Sequence, residues 1–113
     1  MDDRLPAHLE VSALIRLTQS EGGFATVLQK GEREAGTILV VLCKNGTKSR
    51  AYERMPDLDG SRKWHLVREE DADKKEEFSS YISRRGDQDS DMWIVELDIA
   101  QGERLIGLPV TTS

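Results

Sequence analysis

Thr37-Ile38-Leu39-Val40-Val41-Leu42-Cys43 is the longest apolar run in the chain. A run that is apolar at both odd and even positions has no polar face to turn to water. It belongs in the middle of a sheet, covered on both sides. Its neighbours support that reading. Phe24 to Lys30 alternates, with Phe24, Thr26 and Leu28 on one face and Ala25 and Val27 on the other. Gly31 to Gly36 turns the chain back into the apolar run, and the segment reads as a hairpin connection. Asn45-Gly46 is the clearest turn signal, because both residues accept the positive φ of a type I′ hairpin. Thr47 to Arg54 is the next strand, and Lys63 to Val67 a further short one after a loop from Met55 to Ser61.

Two helices complete the pattern. Pro6 is placed for a first helical turn and Gly22-Gly23 for a stop, so the reading is a helix over about 7–21; a short strand leading into a helix is the alternative. Asp71 to Arg85 is the second helix, with Asp73 and Glu76 spaced as a capping box and Gly86 placed just past its end. Phe78, Tyr81, Ile82 and Arg85 form its inward stripe. Met92 to Asp98 is a last strand with Trp93, Val95 and Leu97 facing in, and the tail from Arg104 to Ser113 adds a short edge strand. The expected fold is α+β: an antiparallel sheet of four to six strands with a meander core and two α-helices packed on one face, in a single domain over residues 1–113.

Composition narrows the function classes. The chain has 113 residues, 37% hydrophobic and 33% charged, with a net charge of −5. No apolar stretch approaches the ~20 residues of a membrane span. Met1-Asp2-Asp3-Arg4 begins no secretory signal. Cys43 is the single cysteine, which excludes an internal disulfide and suits a reducing cytoplasm. An acidic chain argues against general nucleic-acid binding. The charge is uneven, however: Lys44 to Arg68 carries a net +4 and Glu69 to Glu77 a net −4.

Several pieces, taken in order, resemble a known family. They are Arg4-Leu5, then Val11-Ser12-Ala13-Leu14-Ile15-Arg16, then Gly23-Phe24-Ala25-Thr26-Val27-Leu28. Lys30-Gly31, Ala35-Gly36, Tyr52-Glu53-Arg54 and Trp64 follow, and Asp89-x-Asp91-Met92-Trp93-Ile94-Val95-Glu96 closes the set. In that order they resemble a family of short alphaproteobacterial proteins known only as a domain of unknown function. The resemblance implies a small cytoplasmic α+β protein. It brings no activity, cofactor or catalytic residue with it.

Individual motifs are weak. Gly31 to Thr37 spells Gly-x-x-x-x-Gly-Thr but lacks the lysine of a phosphate loop, and Glu32 and Glu34 would repel a phosphate. Asp87, Asp89 and Asp91 open like a calcium loop, but Met92 and Asp98 stand where Gly and Glu are needed. No metal ligand set and no cofactor is expected. Cys43 with His65 or His8 is the sole Cys/His chemistry available, and Cys43 reads as core. Glu96 and Asp98 share a strand face as ordinary solubilising residues. The candidate ligand-binding face is Lys48, Arg50, Tyr52 and Arg54, with Arg62 and Trp64 nearby: cations interleaved with aromatics can hold an anion, single-stranded nucleic acid or an acidic peptide. A plain solvated strand face is the competing explanation. The functional expectation is a non-enzymatic binding or adaptor module with a protein partner, acting through an exposed sheet face or edge. An anion or nucleic-acid binder and a small enzyme are the alternatives.

Overall fold

The computed structural model describes residues 5–56 and 58–108. Helix α1 (Ala7–Ser20) is followed by β1 (Phe24–Gln29), β2 (Ile38–Lys44), β3 (Thr47–Pro56) and β4 (Arg62–Glu69). Helix α2 (Lys75–Gln88), β5 (Trp93–Asp98) and a 3₁₀ helix (Gly102–Ile106) complete the order. The strands form one sheet in the order β1-β5-β2-β3-β4. β2 is its third strand, as the apolar run requires. Asn45 and Gly46 both have positive φ, 53° and 71°, and close the β2–β3 hairpin.

The α+β class holds, and five strands fall within the expected range. Two features of the expectation need correction. The first is the meander. β2, β3 and β4 follow one another antiparallel, but β5 inserts between β1 and β2 and runs parallel to β2. Residues 31–36 are therefore not a hairpin; they straddle the start of β5. A Cβ added at Gly31 or at Gly36 would come within 2.3 Å or 2.4 Å of the Asp91 carbonyl oxygen. The glycines serve this close backbone crossing. Glu32 N–H donates to that same carbonyl at 2.9 Å, and Trp93 Nε1 donates back to Glu32 O at 2.7 Å.

The second correction concerns the helices, which lie on opposite faces. Ile38, Val40 and Leu42 join Trp93, Val95 and Leu97 under α1, with Ala7 and Val11. Leu39 and Val41 join Ala51, Met92 and Ile94 under α2, with Phe78 and Ile82. A strand buried on both faces needs cover on both, so the doubly apolar run already implied three layers.

The helix ends depart from expectation in detail. α1 ends as a Schellman motif: Gly23 N–H donates to Thr18 O and Gly22 N–H to Gln19 O, with Gly22 at φ 86°. At its start, Ala7 and His8 N–H donate to Glu34 O and Arg33 O, so the 31–36 loop satisfies the free amides. The capping box of α2 does not form. Lys74 occupies the cap position, and Asp71 instead accepts the Asp73 N–H in a turn before the helix. Gly86 lies inside α2, because the helix runs on past it to Gln88. The tail makes the 3₁₀ helix rather than an edge strand over Arg104 to Ile106, and Ile106 seals the core under α1. The remainder of that expected strand, residues 109–113, lies outside the described residues. Among the described residues, no helix is long and apolar enough to cross a membrane.

Candidate functional site

Arg50, Tyr52 and Arg54 alternate onto the α1 side of β3, and acids from other elements meet them there. Arg50 Nε and Nη2 donate to the two oxygens of Glu103, at 2.8 Å and 2.7 Å, and Tyr52 OH donates to Glu103 Oε2 at 3.0 Å. Arg54 is paired with Glu10 of α1 and stacks over Trp64 at 5.4 Å. Burial acts to raise the Glu103 carboxyl, but the hydrogen bonds and charge of Arg50, with Tyr52, outweigh it and hold the group below its ordinary value. Tyr52 is pushed up to about 12, by burial first and by Glu103 second. Lys48 does not share this face in the expected way. It has φ 55° where the β2–β3 register shifts, which takes it out of the strand's alternation. Of the three cations in the candidate face, only the exposed Lys48 lacks an acid partner among the described residues. The structure thus brings Arg50 and Tyr52 together on Glu103, places Arg54 on Glu10, and leaves Lys48 apart.

The other motifs resolve into structure. In the Gly31–Thr37 loop, the Glu34 and Ala35 N–H groups donate to the carboxylate of Glu32, 3.0 Å and 2.5 Å away, so an internal anion holds the amides a phosphate would use. Asp89 accepts the Asp91 N–H at 3.0 Å, which shapes the turn into β5. Among the described residues, no group of three His, Cys, Asp or Glu side chains is arranged to hold a metal. Cys43 is fully buried, and its thiol is pushed up to about 11 by burial and then by the nearby Glu96 and Asp98. His65 pairs with Glu53, which pairs with Leu39, four residues along β2 from Cys43. Two strands and about 13 Å of strand length therefore separate thiol from imidazole. His8, in the first turn of α1, is held to Arg33 of the loop that enters the other end of β2, so neither histidine reaches the buried thiol and the Cys/His nucleophile reading ends there.

What sequence reasoning passed over is the contrast between the two edges of the sheet. β4, at one end, carries Arg62, Lys63, His65, Arg68 and Glu69, charges that discourage another chain from pairing. β1, at the other end, is Phe-Ala-Thr-Val-Leu-Gln, with neither charge nor proline. It pairs with β5 on one side and has no strand partner on the other among the described residues. Phe24 is 74% exposed, and Val27 and Leu28 are each more than 40% exposed. The composition was legible; that this strand is an edge was not, because β5 comes from the other end of the chain.

A groove of about 530 Å³ adjoins this edge on the α2 side. Its apolar part includes Val41, Phe78 and Ile94, and its acids are Glu70, Asp87 and Glu96; no Lys, Arg or His lines it among the described residues. Glu96 is half-buried, and desolvation followed by the charge of Asp98 raises its carboxyl above the ordinary value. Asp98 itself accepts the Asn45 and Gly46 N–H groups at 2.7 Å and 3.1 Å. Glu70 accepts the Lys48 N–H at 3.1 Å. The pair that looked like solubilising residues thus divides: Asp98 closes the hairpin, and Glu96 faces the groove.

A family described as a protein of unknown function (DUF1491) matches residues 5–107. A crystal structure of a DUF1491 family protein from Caulobacter crescentus is 31% identical, with a TM-score of 0.78 over 96% of this chain and 100% of that one. An NMR structure of a DUF1491 family protein from the same organism is 29% identical, with a TM-score of 0.77 over 96% and 97%. A solution structure of an A. tumefaciens protein is 28% identical, with a TM-score of 0.75 over 97% and 98%. Comparison with the curated proteins gives no match.

Proposed function

The chain belongs to the DUF1491 family of proteins of unknown function, and from the geometry of its sheet we propose that it is a non-enzymatic binding module that takes up an extended segment of a partner protein along the outer edge of β1. One observation carries the reading. Of the two edges of one sheet, β4 is guarded by five charged or titratable side chains and β1 by none. An unguarded edge is a template for strand addition, in which main-chain hydrogen bonds supply affinity and alternate side chains supply specificity. Phe24, Val27 and Leu28 provide the apolar contacts that such a strand would cover. The setting is the cytoplasm, which the single, unpaired Cys43 suits.

The test is selection of peptides from a displayed random library on the full chain, followed by amide chemical-shift mapping. Selected peptides are expected to shift the amides of Phe24 to Gln29. Val27→Lys, which places a guarding charge on the edge, is expected to weaken them about tenfold or more. Shifts clustered on Lys48 to Arg54, with β1 silent, would overturn the reading.

A further inference from the structure

The groove beside β1 says which segment the edge would accept. Resting on the strand-addition reading above, we infer that the occupant carries a lysine or arginine opposite Thr26, with apolar residues two positions to either side, and that this cation enters the groove to meet Glu96.

The register of the sheet supplies the geometry. Phe24 pairs with Asp98 and Thr26 with Glu96, so Phe24 and Thr26 turn to the α2 side, and Leu28 lines the groove on that same side. A strand added outside β1 places one residue directly across from Thr26. That residue lies two strand spacings, about 10 Å, from Glu96 at the backbone. Thr26 between them is short and exposed. The long apolar stem of a lysine or arginine can cross it, lying on apolar surface while its charged end reaches the carboxylate. The residue two positions to one side falls opposite the exposed Phe24, and the one two positions to the other side meets the exposed Leu28, the extra residue of a bulge between Val27 and Gln29, so both have an apolar surface to cover.

Charge selects the same occupant. The Glu96 carboxylate has no hydrogen bond or ion pair among the described residues, and its neighbour Asp98 carries charge of the same sign. Asp87 and Glu70 add to that sign around the groove, and no cation is among the described residues that line it. A neutral segment would leave this charge uncompensated, an acidic one would add to it, and a basic one would neutralise it. The chain's net charge of −5 steers the same class of partner toward the molecule.

The test titrates the isotope-labelled full chain with three capped peptides: Thr-Val-Thr-Lys-Thr-Val-Thr and its analogues with Gln or Glu at the centre. Amide shifts report location and affinity together. The lysine peptide is expected to shift β1 and to bind about fivefold more tightly than the glutamine analogue at low salt, the worth of one partly desolvated ion pair. The glutamate analogue binds more weakly still. Glu96→Gln, nearly isosteric, is expected to abolish the preference while β1 still responds. Thr26→Lys, which tethers an ammonium beside Glu96, does the same without altering the groove acid. Equal affinity of the lysine and glutamine peptides at β1, or a preference that survives both substitutions, would overturn the inference and leave the edge reading standing. Shifts away from β1, or none from any peptide, would remove both.

Discussion

Glu103 gathers the two side chains of β3 that the sequence offered as ligand contacts. It accepts two hydrogen bonds from Arg50 and one from Tyr52, and the Arg50 and Glu103 side chains are only 20% and 15% exposed. Removing it strands a guanidinium and a phenol in a half-buried site, so Glu103→Ala is expected to cost about 2 kcal/mol by urea denaturation at pH 7. The pH dependence has a definite sign. The folded Glu103 carboxyl lies below its ordinary value of 4.5, so its contribution is complete above that pH and is lost as pH falls through the folded value. The wild type and Glu103→Ala should therefore differ at pH 7 and converge as the acid limb is approached. Cys43 gives a second expectation at this scale. Fully buried and raised to about 11, it should react with a thiol reagent at pH 8 only as fast as the protein opens. Rapid labelling of the native chain would contradict its place in the core. The buried, inert character of Cys43 was legible from the apolar run. The pairing of Arg50 with Glu103 was not, because the partners are 53 residues apart and no local pattern marks either one.

At the scale of elements, turn chemistry was the most readable part of the chain. Asn45-Gly46 and Gly22-Gly23 do what their backbone freedom suggests, since both are local devices. Gly86 looked like a third such signal and is something else. It lies within α2, where an added Cβ would sit 2.6 Å from Gln29 Oε1 and 3.3 Å from Ile94 Cδ1. Gln29 cannot swing aside freely, because its amide donates to Asp89 O at 3.0 Å and Met92 O at 2.9 Å. Alanine in an open helix site would gain about 1 kcal/mol over glycine. Here Gly86→Ala is expected to lose about 1 kcal/mol net, since it must break the Gln29 bonds or shift the helix. In a Gln29→Ala background the same substitution should become neutral or stabilising, and a double-mutant cycle by urea denaturation reads the difference. Gly86 was misread for a physical reason: helix stops and close helix–sheet contacts both call for glycine, and only the fold tells them apart.

For the whole molecule, the decisive step is the insertion of β5 between β1 and β2. It makes a parallel pair at the centre, puts one helix on each face, and leaves β1 at the rim. The class of fold was legible because the periodicities are strong. The strand order was not, since β5, with Glu96 and Asp98 on one face, reads as a one-sided strand, and a sequence does not say which strands a central strand separates. The same insertion turns an ordinary alternating segment, Phe24 to Gln29, into an uncharged edge beside an acidic groove. Amide hydrogen exchange across the full chain, free and with a selected peptide bound, measures that claim most directly. The account predicts new protection at alternate amides of Phe24 to Gln29, those whose N–H groups point outward, while Arg62 to Glu69 of β4 exchanges as before. Protection appearing instead along β4 or over Lys48 to Arg54, with β1 exchanging as in the free protein, would contradict it.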